Sequence, residues 1–457
     1  MMAAGKGTRM QSDTPKVLQV LGHLPLAGHA LEAARAVNAR KVVVVTGHGA
    51  AQVEPAIASL AGSLPLEFVR QEPQLGTGHA VQTAAPCLSD DALVLVLSGD
   101  VPLTRAATLQ GLVQLSAGRH LALLTVKMPD PSGYGRIVRK GDSVVSIVEH
   151  KDASVQERAI QEIYGGILVA PATLLKTWLG KLDNRNAQGE YYLTDVVKLA
   201  VHDGVQVLAH CIDDPLEVAG VNSPAQLAAL ERNYQLRQAE FLMEQGVRLK
   251  DPSRIDVRGS LVCGRDVEID VGCVFEGKVQ LGDRVRIGPH CVLANCTIEP
   301  GVNIQAFTHI DGEGQGAHVG AGARIGPFAR LRPGADLGPE VHIGNFVEVK
   351  NARLGAGAKA NHLAYVGDAT IGARVNFGAG SITANYDGAN KHQTVIEDDV
   401  HVGSNCVLVA PITLGAGGTV GGGSTLTKST PAGALSVARA KQVTISNWDR
   451  PTKVAKK

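Results

Sequence analysis

Aromatic residues make up only 4% of this 457-residue chain: seven Phe, seven Tyr and two Trp. Ordinary cores lean on large rings for much of their buried area, so part of this chain must pack around something narrower. Long apolar runs are missing too; the longest, Ala92–Leu97, is far too short to span a bilayer. Neither charge sign dominates, with 44 Lys and Arg against 43 Asp and Glu. There is therefore no global pull toward nucleic acid or an anionic membrane, and phosphate binding must be local. The seven cysteines (Cys87, Cys211, Cys263, Cys273, Cys291, Cys296, Cys406) form no CxxC pair and no Cys/His metal spacing. With no signal-peptide pattern, reduced thiols and a cytoplasmic location are expected.

What is abundant is glycine, 53 residues, and its positions are periodic. Leu281, Ile287 and Leu293 recur every six residues, as do Val319, Ile325, Leu331, Leu337, Ile343 and Val349, and again Val402, Leu408, Leu414, Val420 and Leu426. Gly282, Gly288, Gly320, Gly326, Gly338, Gly344, Gly403, Gly415 and Gly421 follow many of them. Six is the period of hexapeptide parallel β-helices, in which three hexads close a triangular coil around an aliphatic interior. Small residues suit the tight corners and large rings do not fit inside. The span 261–426 allows about nine coils, roughly 45 Å of stack at strand spacing. The period slips between Val349 and Leu354 and across 355–370 and 378–401. Loops are expected to leave the prism there, and loops on a rigid scaffold tend to carry function.

In the first half, apolar runs at Val42–Val45, Leu66–Val69 and Leu93–Leu97 alternate with helical patterns such as Leu26–Val37. This predicts an α/β domain with a parallel sheet. Turns after the strands, Thr46-Gly47-His48-Gly49 and Ser98-Gly99-Asp100, point toward a site beyond the strands' carboxyl ends. The sharpest motif is Ala3-Ala4-Gly5-Lys6-Gly7-Thr8-Arg9-Met10 with Pro15-Lys16 after it. Its glycines let backbone N–H groups approach phosphate oxygens, and Arg9 and Lys16 add charge. The spacing is neither a Walker A loop nor a dinucleotide fingerprint, since Met10 stands where a third Gly would be. Gln71-Glu72-Pro73-Gln74-Leu75-Gly76-Thr77-Gly78 and Gly133-Tyr134-Gly135-Arg136 add further turns, and Glu149 stands in a third polar stretch. Asp100, just after a strand, either holds a cation on a nucleotide or caps a helix. Asn222-Ser223-Pro224 offers a helix start, with Gly246 as a stop.

In this order, and fused to a hexapeptide β-helix, these motifs resemble the bifunctional N-acetylglucosamine-1-phosphate uridylyltransferase/glucosamine-1-phosphate N-acetyltransferase family (GlmU type). The strings GNFVEVK at 344–350, NHLAYVGDA at 361–369 and Asn385-Tyr386-Asp387-Gly388 carry the likeness, which spans residues 2–450. The resemblance implies a Rossmann-like nucleotidyltransferase domain followed by a left-handed parallel β-helix. It places uridylyl transfer on 1–222, a linker helix on 223–246, and N-acetyl transfer with a C-terminal tail on 247–457. In such enzymes acetyl-CoA first acetylates glucosamine 1-phosphate. The product then takes UMP from UTP, releasing pyrophosphate and giving UDP-N-acetylglucosamine, a precursor of peptidoglycan and lipopolysaccharide. A homotrimer is also implied, and flat prism faces suit threefold packing.

By the same resemblance, Ala3, Ala4, Gly5, Gln71, Gly76, Thr77, Ser98 and Gly99 contact the nucleotide, and Arg9 and Lys16 its phosphates. Asp100 and Asn222 hold Mg²⁺, hard oxygen donors for a hard cation. Gly135, Glu149 and Tyr164 fall at sugar positions, although the family often has Asn where Tyr164 stands. His362 is the general base, a residue type whose ordinary pKa near 6.5 suits removing a proton from an amine. Arg332, Lys350, Tyr365, Asn376, Asn385 and Tyr386 hold the amino sugar phosphate. Ala379, Ser404, Gly422 and Arg439 contact acetyl-CoA, with Gly422 where Ala is commoner. One rival is a single-activity nucleotidyltransferase whose β-helix only trimerises it; others are a non-enzymatic scaffold and a γ-type carbonic anhydrase using His342, His362, His392 or His401. Only Met1-Met2 precede Ala3, where related chains carry an aliphatic strand. The reading expects the natural start to lie upstream; without that strand, unpaired backbone and an open core are expected.

Overall fold

The six-residue pattern winds into a stack of parallel coils. The structure is a computed structural model that describes residues 1–453. It falls into two units, with the boundary between Leu236 and Arg237. In the second unit an eleven-stranded sheet running from Arg248–Leu249 to Leu435–Ser436 forms one face of the prism. A fourteen-stranded sheet wraps the other two faces. Strands pair in parallel one coil above another: Glu268-Ile269 on Arg286-Ile287, Arg324-Ile325 on His342-Ile343. The stack extends beyond the 261–426 span read from the hexads.

Ile269, Ile287, Ile304, Ile325 and Ile343 form one interior column, none more than 3% exposed. Their bulk fills the prism, and each coil is stable only because the next one covers it. Buried Cys291 and Cys296 belong to the same interior, where burial pushes their thiols up to about 12.

Only one of the two expected departures leaves the prism. Residues 355–370 lie within a regular coil, with Lys359–His362 and Tyr365–Ile371 in register with the coils on either side. The shortened spacing is absorbed at corners Asn351 and Asp368, at φ 43° and 45°, where Asn and Asp tolerate left-handed backbone. The 385–393 segment does depart, and within it the hairpin is closed by a bridge between Tyr386 and Lys391.

One corner carries His290, Phe307, Phe328, Phe346 and Leu363, all at φ between 51° and 58°. The rings stack face to face with centroids 5.0–5.4 Å apart and remain about half exposed. Bulky residues rarely sit in left-handed backbone.

The first unit is α/β, but its sheet is mixed rather than parallel. Val42–Thr46 pairs in parallel with Leu66–Arg70, and Leu121–Lys127 with Val207–Ile212. The long strand Glu162–Pro171 then runs antiparallel to Leu93–Val96, Leu121–Lys127 and Arg136–Lys140. The hairpin Arg136–Lys140/Ser143–Val148 feeds it. Helices Leu26–Ala36, Ala50–Leu60, Thr77–Ala84 and Ala106–Ser116 follow strands or turns as the pattern required. Ahead of Ala3, Met2 pairs in parallel with both Val45 and Ser98. Beside it lies an apolar slot of about 690 Å³ between the strands, lined by residues that include Val43, Val45, Leu95 and Val169. Helix Pro224–Glu244 is about 32 Å long at 1.5 Å per residue. Ser223 Oγ accepts from Gln226 N at its start.

Close coil packing generates a first prediction. A Cβ built on Gly344 would lie 1.9 Å from the Asn361 carbonyl oxygen of the next coil, whereas one on Gly314 would meet nothing within 4 Å. Gly344→Ala is expected to destabilise the β-helix by about 2 kcal/mol or more, and Gly314→Ala by less than about 0.5 kcal/mol. Denaturant unfolding of the two variants measures the difference.

Candidate functional site

Each unit carries its own polar centre. In the first, the loops beyond three strand ends and the chain start meet. Gly99 N donates to Met2 O at 2.8 Å and His48 N to Ala4 O at 3.3 Å. Ala3 and Ala4 are buried, so the turn they begin is held in place, while Gly5 is exposed with nothing within 4 Å of its would-be Cβ. Its backbone can therefore approach a ligand closely. Gln71 is buried and donates to Gly76 O at 2.9 Å and to His79 Nδ1 at 3.2 Å, clamping the 71–79 loop. At φ 106°, Gly76 lies so near Tyr191 O that a Cβ would stand 2.7 Å away. Thr77 Oγ1 accepts from Leu193 N at 3.1 Å. Ser98 Oγ faces Gly166 across the sheet.

Lys16 Nζ donates to both Asp100 Oδ2 and Asn222 Oδ1, the latter at 3.2 Å. Asp100 is thus not a helix cap, since the next helix starts only at Ala106. Val221 N donates to Asp100 O at 3.0 Å, which brings Asn222 alongside. The two side-chain oxygens converge on one positive charge, and that donor set fits a hard divalent cation. No group of three or more His, Cys, Asp or Glu among the described residues is placed to hold a metal ion. A cation here would draw its remaining ligands from phosphate and water. Arg9 lies exposed on the short Thr8–Met10 turn.

Farther along, Glu149 faces Gly135, whose would-be Cβ lies 3.6 Å from both carboxylate oxygens. Burial pushes the Glu149 carboxyl above the usual carboxylate range; the Thr194 hydroxyl, donating at 2.9 Å, opposes the rise, and Asp195, Asp152 and Glu190 reinforce it. Tyr164 is not brought to the open side of this cluster. It is 8% exposed, packs among Val81, Val96 and Ile137, and its hydroxyl has no hydrogen-bond partner among the described residues.

In the β-helix, residues far apart in sequence form one vertical column. Gly380 N donates to His362 O, Asn405 N to Ala379 O and Gly423 N to Ser404 O. His362, Ala379, Ser404 and Gly422 therefore occupy the same position in four successive coils, about 14 Å from first to last at strand spacing. Arg439 closes the top by donating to Gly422 O at 2.6 Å. Beside the column the corner ladder changes character: Phe307, Phe328, Phe346 and Leu363 below, Gly380, Asn405 and Gly423 above. Bulk ends where the column begins.

His362 is exposed and its Nδ1 donates to Asn345 Oδ1 at 2.9 Å, since a carboxamide oxygen can only accept. That fixes the tautomer and leaves the Nε2 lone pair for a proton. Arg332 is paired with Glu348 at 2.7 Å, which raises its pKa. The neighbouring Lys391 ammonium, and then the Arg332 guanidinium, hold the Lys350 ammonium below the usual lysine range by like-charge repulsion. Three cations thus share one patch. Asn385 donates to Asp368 and, at 3.5 Å, to the Tyr365 hydroxyl; Asn351 donates to Asp368 at 2.6 Å. Asn376 donates to His401 Nε2 at 3.3 Å, and the Tyr386 hydroxyl donates to Gly388 O, turned back on its own loop. Asp387 accepts from Ala389 N, Asn390 N and His392, and these bonds hold its carboxyl well below the usual range and stiffen the loop.

Sequence reading missed Asn345, Lys391, Asp368 and Thr194. Asn345 stands 17 residues before His362, one coil below, so coil counting could have found it. Lys391 is the cation of the departing loop, and no periodicity marks it.

The buried carboxyl yields a second prediction. With its pKa raised, Glu149 contributes stability that is complete below the unfolded carboxylate range and is lost as pH rises through the folded value. Glu149→Gln is expected to raise Tm at pH 8 and not at pH 4 relative to the parent chain, read by calorimetry at both values.

A family model described as the MobA-like NTP transferase domain matches residues 1–175. A "Bifunctional protein GlmU" from Paracidovorax citrulli is 67% identical over 100% of this chain and 98% of its own. Others are 67% identical in Polaromonas naphthalenivorans (99% and 97% covered) and 59% in Cupriavidus necator (100% and 99%). A crystal structure of UDP-glucose pyrophosphorylase with UDP-glucose aligns at TM-score 0.42 and 17% identity, over 51% of this chain and 96% of that one. Since the GlmU relatives match in both halves, the chain belongs to the family of the bifunctional protein GlmU and is a two-activity transferase of UDP-N-acetylglucosamine synthesis.

Proposed function

We propose that the coil column and cation patch of the β-helix N-acetylate glucosamine 1-phosphate, and that the first unit then transfers UMP from UTP to the product. The assignment puts uridylyl transfer on 1–222, a linker helix on 223–246 and acetyl transfer on 247–457. The observation that carries it is the column itself: His362, Ala379, Ser404 and Gly422 rise one coil at a time on a prism that also carries a patch of three cations. A scaffold or simple trimerisation device requires neither.

For acetyl transfer, Arg332, Lys350 and Lys391 hold the sugar phosphate, with Tyr365, Asn376, Asn385 and Tyr386 around the sugar. His362 Nε2 takes the proton from the sugar amine as the amine nitrogen attacks the thioester carbonyl; the C–S bond then breaks and CoA leaves as the thiol, taking a proton back from the imidazolium, while Asn345 keeps the ring oriented. The backbone of Ala379 borders the acetyl group, while Ser404, Gly422 and Arg439 border the rest of acetyl-CoA, whose linear arm suits a vertical column. Gly380 and Gly423 leave that path unobstructed.

For uridylyl transfer no protein nucleophile is required, since a sugar phosphate oxygen displaces pyrophosphate in line at the α-phosphorus. The chain positions and neutralises. Ala3, Ala4, Gly5, Gln71, Gly76, Thr77, Ser98 and Gly99 frame the nucleotide, and Arg9 and Lys16 meet the phosphates. Gly135 and Glu149 form the sugar end, with Tyr164 as an inner wall rather than a direct contact. Asp100 and Asn222 would hold Mg²⁺, which when bound supplies charge neutralisation at the phosphates.

A homotrimer in the cytoplasm completes the reading. The half-exposed corner ladder of Phe307, Phe328 and Phe346 offers a second copy an apolar seam. All seven cysteines are free thiols, which suits a reducing compartment. No helix among the described residues is long and apolar enough to cross a membrane.

His362→Ala is expected to cut CoA release from acetyl-CoA plus glucosamine 1-phosphate by about 10²–10⁴-fold and to spare pyrophosphate release. Asp100→Ala should do the reverse. Retention of CoA release in the first variant, or of metal-dependent pyrophosphate release in the second, refutes the corresponding half. Phe328→Asp is expected to lower the mass seen by light scattering from three chains toward one, and an unchanged mass would remove the ladder from the interface.

A further inference from the structure

In the proposed uridylyl transfer, Asp100 and Asn222 take a divalent cation and Lys16 meets the triphosphate. Those roles collide, because the Lys16 ammonium already occupies the point where the two oxygens converge. The arrangement is partly shielded: the Lys16 side chain is 11% exposed and that of Asp100 22%. A shielded carboxylate without a partner is costly, and the ammonium supplies one. A divalent cation cannot share this seat with the ammonium, since like charges at contact distance repel strongly.

The head group can leave without the backbone moving. Lys16 opens a short helix with Pro15 before it and buried Val17 after it, so its main chain is held. Gly7, at φ 59°, lies directly over the stem, where a Cβ would come within 2.7 Å of Lys16 Cβ. The phosphate-facing loop thus rests on the same side chain that neutralises the metal ligands. Rotation about the outer bonds of Lys16 carries its charge from Asp100 toward that loop.

We propose that Lys16 is a resident counter-ion of the metal seat, displaced when the divalent cation arrives with the nucleotide. This rests on the assignment of Asp100 and Asn222 as the metal ligands. The triphosphate offers the ammonium a new partner as the metal takes the old one, so both enter together and the metal alone binds poorly. Lys16 would then be a positioning residue as well as a phosphate contact. Its removal should have effects of opposite sign on metal binding and on nucleotide binding.

The test uses the full chain and Mn²⁺ as probe, with free Mn²⁺ followed by electron paramagnetic resonance and no nucleotide present. Lys16→Met should bind Mn²⁺ at least about tenfold more tightly than the parent chain, while its KM for UTP rises. Lys16→Arg, which keeps the charge, should bind Mn²⁺ as weakly as the parent. Adding Asn222→Ala to Lys16→Met should abolish the gain and so locate the ion. Circular dichroism checks that each variant is folded. Equal or weaker Mn²⁺ binding by Lys16→Met overturns the proposal. If, with UTP present, Asp100→Asn binds Mn²⁺ as well as the parent chain, the seat itself is misplaced and the parent reading falls with it.

Discussion

In the β-helix each strand donates its backbone N–H groups to the carbonyls of an adjoining coil, and that ladder leaves little room for slippage. A slip of one residue would turn the interior aliphatics outward and expose the whole column. Because the register is held so tightly, a residue's neighbours are set by coil position rather than by sequence distance. Asn345 and His362 meet for this reason, as do Ser404 and Gly422. The same ladder fixes where side chains may be large. Coils approach so closely at Gly344 that a methyl group has no space, while at the outer corner Phe rings stack on one another.

The first unit solves a different problem. Its polar centre is built from loops at strand ends, and loops need fixing one by one. Gln71 clamps one, the Met2–Gly99 bond another, and the Lys16–Asp100–Asn222 group ties three distant segments through charge. The β-helix site therefore rests on backbone periodicity, and the α/β site on individual polar side chains. Substitutions in the two halves should fail differently, by misregister in one and by local loosening in the other.

Much of this was legible from residues alone, for uneven reasons. The hexads announce the prism because aliphatic spacing maps directly onto an interior column, and the glycine turns announce where the loops of the first unit gather. The sheet of the first unit was less legible: Glu162–Pro171 is as apolar as a parallel strand, and direction leaves no mark on such a run. At 355–370 a spacing slip resembled a loop, yet Asn351 and Asp368 absorb it at corners. Lys391 and Thr194 act through contacts made only in three dimensions. Tyr164 stands where a sugar contact was expected, and its burial became visible only once the strand's neighbours were in place.

The corner ladder has one more consequence. Bulk gives way to Gly and Asn above Leu363, so the open stretch is measured in whole coils counted from His362. Such a groove behaves as a ruler with fixed gradations. Side-chain changes within a coil alter how firmly a linear group is gripped, but its reach changes only when a complete coil is gained or lost. Under the proposed assignment of His362 and the column above it, a repeat architecture that adds units without disturbing their neighbours offers a route to acyl donors of different length while the histidine stays where it is.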